Sequence, residues 1–236
     1  MTYLGIDVGT QSLKVMVTDS RLRILAIASE SYPTRYPRPG WAEQDPRDWE
    51  RAASRAVPRA LAGAGIDAAA VAAVGIAGQL DGCVAVDASG EPVAPCLIWM
   101  DRRAVDFVPE LPSDFVERTG LVADPGHMAA KIAWLARGNP GARYHQPVSY
   151  LVERMTGEAC FDPALASTTM LFELGSSTPS QELCALFEID PQTLPRVVPA
   201  DQQAGQVSAA GAKRFGLVVG TPVATGTGDD FATPLG

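Results

Sequence analysis

Gly5-Ile6-Asp7-Val8-Gly9-Thr10-Gln11-Ser12-Leu13-Lys14 is the stretch that decides the fold. The apolar run from Leu4 to Val8 reads as a short buried strand that carries Asp7 near its end. Gly9 to Ser12 is a turn. Leu13 to Asp19 then alternates, with Leu13, Val15 and Val17 on one face. Gly9 lets the backbone approach an anion closely. The turn can aim amides and hydroxyls, those of Thr10 and Gln11 among them, at phosphate oxygens, with Lys14 on the returning strand. An acid in the position of Asp7 suits Mg²⁺ held through water, because that ion dehydrates reluctantly. The segment is neither a Walker loop nor a G-x-G-x-x-G turn, since a strand and not a helix follows it. The same residues also make an ordinary hairpin, because Asp, Gly and Thr are common in turns.

Outward from the hairpin, Ile24 to Ser29 gives a third strand, so the N-terminus predicts an antiparallel meander. Tyr36 to Trp41 is a proline-broken loop. Asp45 then caps a helix with Pro46 at its first position and Asp48 in its first turn. Pro58 is expected to kink or end that helix. Ala72–Ala77, Cys83–Asp87, Cys96–Trp99 and Pro222–Thr225 read as strands, with a turn at Ser89-Gly90. Helices are expected over Arg102–Val108, Ser113–Thr119, Met128–Ala136, Val148–Met155, Gln181–Phe187 and Ala209–Phe215, with Gly120 and Gly157 as C-terminal stops. No period of 20–50 residues repeats and no low-complexity linker divides the chain. A strand meander followed by strand–helix units argues α/β with a mixed sheet.

The 236 residues are 47% apolar and 19% charged, the composition of a globular chain of one large or two small domains. The net charge of −8, with three lysines (Lys14, Lys131, Lys213) and sixteen scattered arginines, excludes a nucleic-acid partner. An anionic ligand therefore needs a local site. No basic segment precedes the first apolar run, which Asp7 interrupts, so it is not a signal peptide. Ala68 to Gly78 is too short to span a bilayer, and no membrane partner is expected. Cys83, Cys96, Cys160 and Cys184 form no C-x-x-C pair, and only His127 and His145 could join them in a zinc site. Four thiols in a reducing cytoplasm are expected instead.

Several further stretches appear in a fixed order. They are Tyr36-Pro-Arg-Pro-Gly-Trp-Ala-Glu-Gln-Asp-Pro46, Gly78-Gln-Leu-Asp-Gly82, Ile98-Trp-Met-Asp-Arg-Arg103, Gly120-Leu with Asp124-Pro and Lys131, Met155-Thr-Gly157, Leu194-Pro195 and Gly226-Thr-Gly-Asp229. With the opening hairpin they resemble, over the whole chain, the FGGY family of carbohydrate kinases, and within it the xylulose and polyol kinases. The resemblance implies an actin-like ATPase (ribonuclease H-like) domain with a mixed sheet flanked by helices, ATP and Mg²⁺ as cofactors, and a sugar or polyol as substrate. It implies that Asp7, Gly9, Thr10, Gln11, Lys14 and Gly228 serve the phosphates, with Asp7 holding the metal through water. Asp229 matches the base that accepts the proton of the attacking hydroxyl, and Asp230 a neighbour that contacts substrate. The two acids also suit a helix N-cap.

The matching sugar-pocket positions are Gln79, Asp81, Trp99, Asp101 and Arg103. Their chemistry suits a polyhydroxylated ligand, because Asp accepts from hydroxyls, Gln both accepts and donates, and an indole covers C–H surface. The alternative places Trp99 in the core and makes Asp101–Arg103 a local charge pair capping a helix; Arg102 is expected at the surface. His127 is either a pocket residue or a surface or core histidine. Two departures stand out. Asp81 replaces the His usual in xylulose kinases and resembles glycerol, erythritol or ribitol kinases. Gly126 stands where glycerol kinases present an aromatic. Ala136 to Pro147 is shorter than in most relatives.

Only seven residues follow Asp229, which is a helix start followed by a stop. Residues 1–236 are therefore expected to form the N-terminal, sugar-binding lobe, the C-terminal adenosine-binding lobe of such kinases being absent from this chain. The alternative is a lobe that binds sugar and catalyses nothing. Assembly as a homodimer stays open.

Overall fold

A computed structural model describes residues 1–235; Gly236, the last residue of the terminal run, lies outside the described residues. β1 (Thr2–Val8) and β2 (Ser12–Asp19) pair antiparallel, with Asp7 opposite Lys14. β3 (Ile24–Ser31) pairs antiparallel with β2, which completes the meander. Leu4, Ile6, Val8, Leu13, Val15 and Val17 are all buried, as period-2 alternation requires of a sheet with one covered face. β4 (Val71–Gly78) lies parallel to β1. β5 (Gln203–Gln206) pairs antiparallel with β6 (Pro222–Ala224), and β6 and β7 (Thr227–Gly228) both run parallel to β4. The sheet order is β5-β6-β4-β1-β2-β3, with β7 also on β4. The sheet is mixed, as the sequence implies.

Parallel pairing of β1 and β4 needs a long crossover, which α1 (Pro46–Ala64) supplies. Asp45 accepts from the Arg47 N–H, Pro46 opens the helix, and Gly65 closes it at φ 66°. Of the two outcomes expected at Pro58, a kink or an end, the end does not occur: α1 continues to Ala64. An interior proline costs about 3 kcal/mol. Burial of Trp49, Ala53, Ala56, Val57, Ala60 and Leu61 outweighs it, at roughly 1.5–3 kcal/mol for each large side chain.

The helix expected over Arg102–Val108 shrinks to one 3₁₀ turn, Val105–Phe107. Ahead of that turn, Arg102 N–H donates to Gly40 O (2.8 Å) and Arg103 N–H to Asp101 Oδ1 (3.0 Å). α2 (Met128–Ala136) and α4 (Ala209–Phe215) have the expected bounds, and α3 spans Pro147–Thr156. Gly120 and Gly157 end their helices in the left-handed conformation. The two- and three-residue strands Glu43–Gln44, Arg143–His145, Cys160–Phe161 and Arg196–Val197 are too short to show a period in sequence. All four cysteines are buried free thiols. Among the described residues, no helix is long and apolar enough to cross a membrane.

Behind the sheet, α3 carries a buried charge cluster. His145 Nε2 lies 2.9 Å and Arg143 Nη2 2.8 Å from the Glu153 carboxylate. Burial alone would raise Glu153, but these two neighbours outweigh it and hold the carboxyl down at about 2.

Two features frame the strand ends. Gly226 sits at φ 75°, and a Cβ there would lie 2.1 Å from Ile76 O, so only glycine lets the chain turn this tightly between β6 and β7. On the sheet face away from α1, Gly5, Gly75, Ala77 and Ala224 join Met16 and Ile27 in an open apolar groove of about 560 Å³.

Candidate functional site

Sheet register brings the candidate residues together. Asp7, Ala77 and Thr227 are level on β1, β4 and β7, as are Val8, Gly78 and Gly228 one residue on. Gly9, Gln79 and Asp229 therefore leave three adjacent strands at one edge, the carboxyl end at which open α/β sheets bind ligands. A cleft of about 580 Å³ opens there, lined by Thr10, Gln79, Asp81, Trp99, Asp229 and Asp230 together with Arg102, Asp124, Gly126 and His127.

Gln79 is buried and donates its Nε2 to Gln44 Oε1 (2.9 Å). Gln44 in turn donates to Thr10 O (2.6 Å) and accepts from Trp49 Nε1 (3.1 Å), so one buried amide fixes the hairpin turn to the start of the cleft. Asp81 adopts φ 59°, a left-handed conformation that costs a non-glycine residue about 1–3 kcal/mol and persists only where the surroundings impose it. Its Oδ2 lies 3.2 Å from His127 Nδ1. Gln79 Oε1 and Asp81 Oδ1 are buried with no hydrogen-bond partner. Trp99 is 46% exposed, which excludes the core alternative, and its indole N–H donates to Thr10 Oγ1 (3.1 Å).

Two expected pocket residues stand elsewhere. Asp101 is fully buried, accepts from the Ala42 N–H (2.6 Å) and clasps Arg103 (2.8 Å). Arg103 stacks on Trp41 (3.6 Å) and pairs with Glu43 (2.7 Å) on the far side of the segment, away from the cleft. Local charge pairing describes both residues. Arg102 is exposed, as expected, but its position is more specific than that. It lines the cleft and pairs with Asp124 Oδ1 (2.7 Å). A Cβ on Gly126 would lie 1.8 Å from Arg102 Nη1, so the guanidinium occupies the space a side chain at 126 would fill.

Of the phosphate candidates, Thr10 lines the cleft. Asp7 and Lys14 pair at 3.3 Å and line the adjoining groove, while Gly9, Gln11 and Gly228 line neither. Gly9 O accepts from the Tyr32 hydroxyl (2.5 Å), which pins the turn from behind. Burial and the Asp7 charge push the Tyr32 hydroxyl above its ordinary pKa. Asp229 follows β7 at the start of the short helix Asp229–Ala232. Burial raises its carboxyl above the ordinary range, and the charges of Asp230 and Asp7 add to that. Among the described residues, no group of three or more His, Cys, Asp or Glu could hold a metal ion unaided. One half-exposed carboxylate beside a turn fits Mg²⁺, which keeps its waters and shares itself with phosphates.

Sequence reading left Gln44, Asp124 and Lys131 without a role in the site. Each lay inside a quoted motif, but only tertiary contacts show what it does. Lys131 is fully buried on α2, and burial pushes its ammonium down to about 8 against the pull of Asp81.

The N-terminal domain of the FGGY family of carbohydrate kinases matches residues 2–236. The chain is 31% identical to a glycerol kinase of Thermococcus onnurineus, over 99% of this chain and 49% of that protein. It is 36% identical to a xylulose kinase of Streptomyces coelicolor, again over 99% and 49%. A xylulose kinase structure from Rhodospirillum rubrum superposes with a TM-score of 0.93 at 28% identity, over 100% of this chain and 50% of that one. The chain thus spans about half the length of the curated relatives it matches.

Proposed function

The chain belongs to the FGGY family of carbohydrate kinases, and on that premise we propose that it is the substrate-binding N-terminal lobe of an enzyme that phosphorylates a small sugar or polyol, a pentulose such as xylulose or an alditol, at a hydroxyl. One observation carries the reading: Gln79 Oε1 and Asp81 Oδ1 are buried acceptors without donors in a cleft walled by the exposed face of Trp99. An unpaired buried acceptor costs about 1–3 kcal/mol. The hydroxyls of a polyol supply the missing donors, and its C–H surface suits the indole.

Asp229 then takes the proton of the attacking hydroxyl. Its raised carboxyl makes it a better proton acceptor, which is what a general base needs. In this reading Thr10, Gly9, Gln11, Lys14 and Gly228 would serve the phosphates, and Asp7 would hold Mg²⁺ through water. Bound MgATP supplies the phosphoryl group and neutralises its developing charge. The adenosine-binding lobe lies outside these 236 residues in this reading, and the four free thiols suit a cytoplasmic location.

A second reading, a sugar-binding module without catalysis, is favoured by the half-length match to relatives. Calorimetry with xylulose, xylitol, ribitol and glycerol, with and without ATP, separates the two. Polyol binding with little ATP affinity is expected of this chain alone, and phosphoryl transfer once the second lobe is supplied. Failure to bind any polyol overturns both readings.

A further inference from the structure

Lys131 is 0% exposed, yet none of the three acceptors it binds is a carboxylate. Its Nζ donates to three backbone carbonyls: Asp81 O (2.6 Å), Ile98 O (2.8 Å) and Gly126 O (2.5 Å). An ammonium has three donors, and here each has one acceptor. Those carbonyls belong to three chain segments far apart in sequence. One carries Gln79 and Asp81, one leads into Trp99 and Arg102, and one leads into His127, and all three line the same cleft. Asp81 is held from both sides, since its N–H donates to Gln146 Oε1 (2.9 Å) while its carbonyl accepts from Lys131.

An apolar side chain of the same length would fill the space without the cost of burying a charge. Burial lowers this ammonium to about 8, so the fold bears that cost at a position where packing alone does not require it. The feature such an ammonium provides and a hydrocarbon lacks is a three-way tie between loops. We propose that Lys131 is the positioning residue of the cleft: its ammonium fastens the three substrate-facing segments to α2 and keeps Asp81 in its left-handed conformation beside His127. The proposal rests on the polyol reading of the cleft for its functional consequence, and on geometry alone for its structural one.

The two consequences are read separately, on the full chain. Hydrogen exchange followed by mass spectrometry is compared for wild type, K131M and K131R, alongside calorimetry with xylitol as the probe. In K131M, amides of residues 79–83, 98–104 and 124–129 should exchange at least about tenfold faster, the loss expected when hydrogen bonds to a charged donor go. Amides of β1 to β3 should keep their wild-type rates. Xylitol affinity should fall by on the order of tenfold, and K131R, which keeps donors, should recover part of both losses. Unchanged exchange in the three segments, or a uniform rise across the chain, overturns the proposal. If K131M does not fold, K131Q, with two donors on a shorter arm, is judged by the same criteria. Absence of xylitol binding by wild type counts against the polyol reading, and the exchange result still decides the role of Lys131.

Discussion

The indole N–H of Trp99 donates to the hydroxyl of Thr10, 3.1 Å away. One residue belongs to the hairpin read as a phosphate turn and the other to the wall read as a sugar platform. The bond joins them across a solvent-facing cleft. Its loss should weaken substrate binding more than it weakens the fold. Trp99→Phe should cost polyol affinity about fivefold, the worth of one ordinary hydrogen bond. Trp99→Ala should cost more, because the apolar wall goes too. Calorimetry with xylitol measures both, and melting temperatures should stay close to wild type because Trp99 is half exposed.

Asp229→Asn, made in an enzyme with both lobes, should lower kcat by about 10²–10⁴ while polyol affinity changes little. The wild-type pH profile should lose activity on the acid side as pH falls through the raised Asp229 value, since the base must be ionised. Asp230→Asn removes a like charge, lowers the Asp229 value and should move that acid limb to lower pH. A limb that stays put would refute Asp229 as the group that titrates.

Gly126→Ala places a methyl on the Arg102 guanidinium. The arginine end is flexible and half exposed, so it should swing out and break its pair with Asp124. Exposed pairs are worth about 0–1 kcal/mol, so stability should scarcely move. The cleft, however, loses its guanidinium wall, and the ratio of xylitol to glycerol affinity should change. Arg102→Ala should change the ratio in the same direction.

Glu153→Gln tests the cluster behind the sheet. The folded-state value of Glu153 is depressed to about 2, so its contribution is present above the unfolded value near 4.5 and is lost as pH falls through about 2. The variant should be less stable than wild type by up to about 3 kcal/mol at neutral pH, from 1.36 kcal/mol per pH unit. Urea unfolding at a series of pH values should show the gap closing between about pH 4.5 and pH 2.

The hairpin, the strand before Asp229 and the exposed position of Trp99 were legible because each combines local chemistry with a local period. That the cleft is lined by Arg102 and not by Arg103 was illegible for a physical reason. They are neighbours in an irregular turn, where no period tells which side chain faces which way. Asp101 fixes that phase by clasping Arg103 and the Ala42 amide, a contact 59 residues away in sequence. Gln44 and Lys131 were illegible for the same reason: each acts by binding backbone or side-chain groups from distant segments. That the helix runs on past Pro58 was illegible because local propensity says nothing of the buried face the helix packs with.

The level register of β1, β4 and β7 also governs when the cleft can exist. Residues 227–228 pair with residues 77–78, more than half the chain away, and those pair with 7–8. A ribosome adding roughly 5–20 residues per second exposes the first strands well before their last partner emerges. The meander can close from local contacts, whereas the edge that carries the cleft waits for β7. Such long-range parallel pairing is intrinsically slow. Until residues 227–228 emerge, the edge of β4 that they cover stays unpaired at its carboxyl end.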